Sequence, residues 1–298
     1  MPREIETKTI LNKTKRRDPW FLDDYTLNPY SACAFNCLFC YIRGSKYGEH
    51  MQDALSVKVN AVSLLRKQLA ARAARGQYGV IVLASATDPY LKIETQYGLT
   101  RQLLEVILEF RFPVHVITRS GLVTRDLDLL ERIHAQAVLP ADLQGKLKGG
   151  AIVSFSFSTL RDDVAGIFEP GATPPSERLL ALQAVRATGL TCGVSLMPLL
   201  PFISDTTEEL ELFYKTFKAL HVDYIMPATL MLFGSGKADS KTLVLGAIKK
   251  HYPDLMERYA KFFTTADGVP AYYRKAFGLK MKELQSRYGL SDRIVGMD

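Results

Sequence analysis

Cys33, Cys37 and Cys40 fall within eight residues in the segment NPYSACAFNCLFCYIRG. Thiols spaced this closely serve as metal ligands or redox groups in a reducing compartment, and four cysteines in 298 residues are too few for a disulfide scaffold. Three thiolates can hold three irons of a [4Fe–4S] cubane and leave the fourth iron open, whereas a cluster with a full cysteine set serves mainly in electron transfer. The alternative is a structural zinc held by the same three cysteines and His50, but a compact CxxxCxxC triplet with no second CxxC nearby fits zinc ribbons poorly. The fourth cysteine, Cys192, is isolated and reads as a small buried hydrophobe.

A scaffold must hold that loop. From about residue 77 the chain alternates apolar, β-branched runs with helical patterns, the order of βα units around a parallel sheet. Strands are predicted at Gly79–Ala84, Pro113–Thr118, Ala151–Phe157, Thr191–Met197 and Asp223–Ala228, with an earlier one at Tyr25–Tyr30 ahead of the cysteines. They lack strict alternation, as strands covered on both faces do. Helices are predicted at Asn60–Arg75, Thr95–Phe110, Thr124–Ala137, Pro175–Thr188, Thr206–Leu220, Ser240–Lys249 and Asp254–Phe263. The expected fold is α/β, a partial (βα)6 barrel of the TIM type with N- and C-terminal extensions, whose chemistry belongs at the C-terminal ends of the strands. Residues 1–24 are expected to be a basic extension, 25–230 the core barrel and 231–298 a helical extension. On Ala151–Phe157 a period of two puts Ser154, Ser156 and Ser158 on the lumen face and Val153, Phe155 and Phe157 toward the helices.

The cysteine triplet, with Phe39 before its last member and Tyr41 after it, resembles the signature of the radical S-adenosylmethionine (SAM) superfamily. LASATDPYLKIE, VITRSGLVTRDLDLL, and SFSFSTLRDD followed by FEPGATPPSERLLALQAVRATGL resemble its spore photoproduct lyase-like branch, so that the likeness spans roughly residues 25–230. The resemblance implies a [4Fe–4S] cluster on Cys33, Cys37 and Cys40, with SAM bound at the open iron. Reductive cleavage of SAM would then give a 5′-deoxyadenosyl radical that takes hydrogen from a substrate. It implies SAM contacts from Tyr41 near the adenine, from Thr87 and Asp88 toward the methionine amino group, and from Arg119 toward the methionine carboxylate. Ser154 and Ser156 are expected at the ribose or carboxylate, and Leu196 and Met197 along the adenine. Plainer readings stand beside these: a turn at Asp88–Pro89, a solvated arginine, serines bonded to backbone, and a core methionine. The lyase itself needs a cysteine near the end of the second strand; Leu83-Ala84-Ser85-Ala86-Thr87 has no thiol, which argues against spore photoproduct repair as this chain's reaction.

A net charge of +7 favours an anionic partner but supplies only the sequence-independent part of nucleic-acid binding. The basic stretch Lys8–Arg17 beside Trp20 and Phe21, and the segment AYYRKAFGLKMKELQSRYG with Tyr272, Tyr273, Arg274 and Lys275, suit stacking and phosphate contact or, alternatively, packing over the barrel. Nucleic acid, in DNA or RNA repair or modification, is thus the first expected substrate class. A protein, peptide or small metabolite is the second, and a non-catalytic zinc protein the third. The radical reading also calls for an external one-electron reductant of the flavodoxin or ferredoxin type. The N-terminus lacks an apolar signal region and no run of eighteen apolar residues occurs, so a cytoplasmic protein without membrane association is expected.

Overall fold

In chain order the strands are β1 (Arg3–Ile5), β2 (Leu11–Lys13), β3 (Tyr25–Leu27), β4 (Tyr30–Ser31), β5 (Ser56–Lys58), β6 (Ile81–Leu83), β7 (Val114–Thr118), β8 (Ala151–Phe157), β9 (Thr191–Leu199) and β10 (Ile225–Thr229). The helices are α1 (Ala61–Ala73), α2 (Glu94–Tyr97), α3 (Leu99–Glu109), α4 (Leu127–Gln136), α5 (Asp162–Phe168), α6 (Pro175–Ala187), α7 (Thr207–Ala219), α8 (Ser240–His251), α9 (Met256–Phe263) and α10 (Ala271–Tyr288). This computed structural model describes residues 2–48 and 54–296, so His50 lies outside the described residues.

Strands β3, β6, β7, β8, β9 and β10 lie side by side in that order, all parallel, and β2 adds an antiparallel edge next to β3. The sheet runs from β10 to β2 without closing, which makes it a partial barrel of six βα units. β8 is buried along its whole length. Its Ala151, Val153, Phe155 and Phe157 enter the main core under the helices, and the alternate positions, Ile152 through Ser158, face the lumen. The lower lumen is filled by Val80, Ile152, Tyr224 and Met226 together with Leu22, Leu143 and Leu147, and Trp20 and Phe21 pack onto this plug. Gly193 makes room for it, because a Cβ there would lie 2.4 Å from the Tyr224 ring.

Three departures from the expected elements have physical causes. The stretch expected as one strand at Tyr25–Tyr30 divides, with β3 in the large sheet and β4 in a small second sheet of order β1-β5-β4. The helix expected at Thr95–Phe110 is broken at Gly98, whose φ of 56° caps α2 in the left-handed region and starts α3. The helix expected from Thr124 begins instead as a 3₁₀ turn at Gly121–Asp126, capped by the Ser120 side chain. C-terminal to β10, α8 to α10 pack back on the barrel; α10 buries Met281 and Leu284, and its Tyr288 hydroxyl donates to Glu211 on α7 at 2.6 Å.

Candidate active site

The cysteine loop follows β4 and is tied down from four directions. From the end of β6, Thr87 Oγ1 donates to Ala32 O at 2.7 Å, and the Tyr41 hydroxyl donates back to Ser85 O. From the C-terminal end of α5, Phe168 O accepts from Leu38 N at 2.8 Å, and from the segment after it Gly171 N donates to Phe35 O at 2.9 Å. From the loop before α8, Arg43 reaches Ala238 O at 3.2 Å while also donating to Asn36 Oδ1 within the loop, and Ser240 Oγ donates to Arg43 O at 3.2 Å. From β7, the Arg119 guanidinium lies 5.3 Å from the centre of the Phe39 ring. Two residues of the loop, Ala32 and Asn36, hold positive φ values of 60° and 53°; the turns this permits bring all three cysteines onto one short loop.

The three expected ligands lie together on this loop. Cys37 is buried and Cys33 and Cys40 are half-buried, all free of disulfides. Burial, and then the charge of Asp88, pushes the Cys33 thiol up to about 12. Burial pushes Cys37 up as well, with Arg119 pulling the other way. A thiol kept neutral by burial becomes a thiolate when a cation arrives to replace its proton, so this donor set fits a metal group and binding would release protons. Among the described residues no three His, Cys, Asp or Glu side chains close around a single ion.

The structure gathers the expected SAM contacts unequally. Tyr41, 44% exposed, stands at the mouth with its ring against Tyr47, and burial of its hydroxyl raises its pKa to about 12. Asp88 is 5% exposed and its oxygens already have partners: Oδ1 accepts from Tyr90 N and Thr118 Oγ1, both at 2.8 Å, and Oδ2 from Arg119 N at 2.8 Å. Burial raises its pKa to about 6 against those bonds. Asp88 therefore joins the loops after β6 and β7, which places Thr87 and Arg119 beside each other. Arg119 also donates to Met197 O at 2.8 Å and pairs with Glu169 at 3.0 Å. Ser156 lines the lumen at 8% exposure. Ser154 is fully buried, with its hydroxyl between His115 Nε2 at 2.7 Å and Tyr224 Oη at 2.6 Å, and is not brought to the site. Ser158 is also fully buried and donates to Glu169. Cys192, at the second position of β9, is fully buried in the core. Trp20 and Phe21 belong to the lumen plug, and Arg17 bridges Asp24 and Asp142. Glu169 and Arg178 lie in the segment FEPGATPPSERLL, whose resemblance to the lyase-like branch assigns neither a role, and Arg43 lies just after the cysteine triplet; a charge on a helix or loop reads as solvated from sequence alone.

No family model matches the chain. A structural comparison places it on spore photoproduct lyase with bound AdoMet and dinucleoside spore photoproduct, at a TM-score of 0.63 and 17% identity, covering 96% of this chain and 78% of that one. The chain has the fold of spore photoproduct lyase. The lyase complexed with dinucleoside spore photoproduct matches at a TM-score of 0.62 and 17% identity, over 96% of this chain and 78% of that one. Among relatives in sequence, an uncharacterized protein of Mycobacterium tuberculosis is 26% identical over 97% of this chain and 81% of its own length. One from Acidianus two-tailed virus is 28% identical over 81% of this chain and 78% of its own. A protein of Pseudomonas phage M6 named radical SAM Nalpha-GlyT isomerase is 23% identical over 84% of this chain and 48% of its own. Among the described residues no helix is long and apolar enough to cross a membrane.

Proposed function

We propose that the chain is a radical SAM enzyme in which Cys33, Cys37 and Cys40 hold a [4Fe–4S] cluster. The carrying observation is that three free thiols share one tethered loop at the C-terminal edge of a lyase-like parallel sheet. Bound there, the cluster and SAM would supply the electron transfer that breaks the S–C5′ bond and yields a 5′-deoxyadenosyl radical.

The chain's own residues bind and orient. Arg119, a partly exposed guanidinium against the cysteine loop, would take the methionine carboxylate, with its angle fixed by Glu169, Met197 O and the Phe39 ring. Thr87 holds the cysteine loop through Ala32 O, and Asp88 locks the backbone of Arg119, so these two would act on SAM by positioning the groups around it. Ser156 and Tyr41 line the lumen and its mouth, where ribose and adenine would lie. The packed plug of Tyr224, Ile152 and Phe21 closes the opposite end to water. A lumen lined by buried side chains suits a radical, which must meet its substrate before it meets solvent.

The first substrate class is nucleic acid. Support comes from the net charge of +7, from the lyase with its dinucleoside photoproduct, and from a rim where Tyr47 stands 62% exposed with Lys46 5.3 Å from the centre of its ring. An external one-electron donor of the flavodoxin or ferredoxin type would reduce the cluster, and the cytoplasm, with its reduced thiols, is the compartment that suits it.

Anaerobic reconstitution with iron and sulfide, then dithionite and SAM, tests the reading. About four irons per chain and 5′-deoxyadenosine that vanishes in a Cys33→Ala, Cys37→Ala, Cys40→Ala variant are expected. One zinc per chain and no 5′-deoxyadenosine would overturn it.

A further inference from the structure

Against the cysteine loop, where Phe168 O accepts from Leu38 N at 2.8 Å and Arg119 lies 5.3 Å from the centre of the Phe39 ring, three charged side chains are packed together away from water. The side chains of Arg178 and Glu169 are fully buried, and that of Arg119 is 14% exposed. Glu169 Oε2 stands 3.0 Å from Arg119 Nη1 and 2.9 Å from Arg178 Nη2, while Oε1 accepts from Ser158. Two guanidiniums against one carboxylate leave this triad at +1, and the Asp88 carboxylate, which accepts from Arg119 N at 2.8 Å, is a further negative charge acting on Arg119 and Cys33, whereas Arg119 and Glu169 act on Cys37. Arg178 Nη1 donates to Ser156 O, but its Nε makes no hydrogen bond and its Nη2 faces Glu169 outside hydrogen-bond geometry. Aromatic faces take up part of the remaining charge: Arg178 lies 4.9 Å from the centre of the Phe157 ring and Arg119 5.3 Å from that of Phe39.

A neutral pair would satisfy the packing more cheaply, because a buried ion pair is often replaceable by apolar side chains with no loss of stability. Here the group is neither neutral nor remote. Burial opposes ionisation of Glu169, yet Arg119 and then Arg178 hold its carboxyl below the usual range, and both Arg119 and Glu169 act on the Cys37 thiol. The surplus positive charge stands where an iron centre would gain an electron, and net charge around a cluster is one of the determinants of its potential.

We propose that Glu169 and Arg178 set the reduction potential of a cluster held at Cys37, by fixing how much uncompensated positive charge stands beside it. This rests on the reading of the three cysteines as cluster ligands. Glu169 and Arg178 are positioning residues: neither needs to touch SAM, and both act through Arg119 and through the field at Cys37.

The sign of the effect separates this role from a structural one. Removing the carboxylate in Glu169→Gln leaves more positive charge and favours the reduced cluster; removing a guanidinium in Arg178→Met does the reverse. The full chain is reconstituted and titrated redox-potentiometrically without SAM, with the reduced cluster followed by electron paramagnetic resonance. At a fixed potential the reduced-to-oxidised ratio is expected to rise about tenfold in Glu169→Gln and fall about tenfold in Arg178→Met, shifts of about 59 mV in opposite directions for a one-electron couple. The double variant returns near the wild-type potential. If Arg178→Met does not fold, Arg119→Gln at the less buried position reports the same downward sign. A loaded wild type whose folded variants share its potential, or shift in one common direction, overturns this inference alone. A wild-type chain that takes up no iron overturns the cluster reading, and the inference falls with it.

Discussion

Ser154 Oγ lies 2.7 Å from His115 Nε2, and the direction of that bond is set from the other side of the ring. His115 Nδ1 faces Phe21 O at 2.8 Å, and a carbonyl oxygen only accepts, so Nδ1 carries the proton. Nε2 must then accept from the Ser154 hydroxyl, which in turn accepts from Tyr224 at 2.6 Å. The chain Tyr224 to Ser154 to His115 to Phe21 is complete only with a neutral imidazole.

Acid should therefore attack this plug first. Burial lowers the His115 pKa to about 4 from 6.5. The unfolded chain takes up the proton between those values and the folded chain does not, so His115 costs no stability above pH 6.5 and progressively more as pH falls toward 4. The loss amounts to about 3 kcal/mol. Asp88, raised to about 6, slopes the opposite way over the same window, because its folded form binds the proton more readily. The measurement is thus the difference in urea unfolding between wild type and His115→Gln at pH 7 and pH 4.5. The variant should be the less stable at pH 7 and should recover most of the gap at pH 4.5; parallel pH profiles would count against the assignment.

Asp88→Asn tests the carboxylate as a brace. The amide that replaces Oδ2 or Oδ1 turns a donor toward another donor, Arg119 N or Tyr90 N and Thr118 Oγ1. Leaving such a buried donor unpaired costs about 1–3 kcal/mol. Because burial raises the wild-type carboxyl to about 6, wild type gains stability as pH falls through that value and the amide does not, so urea unfolding of the iron-free chain should show the variant falling further behind wild type at pH 4.5 than at pH 8; a gap that does not change with pH would count against Asp88 as a buried carboxylate brace.

How far these groups could be read beforehand depended on how local their signals are. The six parallel strands were legible because each is an apolar run bounded by turn residues, and β8 was placed end to end. Ser154, Ser156 and Ser158 fell on the lumen face because strand alternation is strict, but alternation does not tell which hydroxyl meets His115 and which meets open space. The small sheet was not legible, since strands of two or three residues carry no period. Helix α5 was missed between two loops although Asp162 and Asp163 open it. Glu169 and Arg178 are nine positions apart on different elements, and only the fold brings their charges to 2.9 Å.

Arg43→Ala should loosen the cysteine loop without unfolding the barrel. The side chain joins Asn36, between the first two cysteines, to Ala238 ahead of α8. Losing about 1 kcal/mol of tethering corresponds to about a fivefold faster escape of iron to a chelator. Circular dichroism of the variant should match wild type; equal chelation rates would show that the loop is held without this strap.

Gly171→Ala probes the other strap at closer quarters. A Cβ on Gly171 would lie 2.5 Å from Ala34 O and 2.9 Å from Phe35 Cα, both backbone atoms of the cysteine loop, so no side chain can swing aside to admit it. Either the segment after α5 retreats and its 2.9 Å bond to Phe35 O is lost, or the loop moves and carries Cys33 and Cys37 with it. Gly171 is itself exposed and outside the core, so the barrel should keep its unfolding midpoint while reconstituted iron falls at least about twofold, as backbone overpacking is relieved by displacement. Full iron loading in this variant would mean that the loop tolerates displacement, and that the geometry holding the cysteines comes from Thr87 and Arg43 instead.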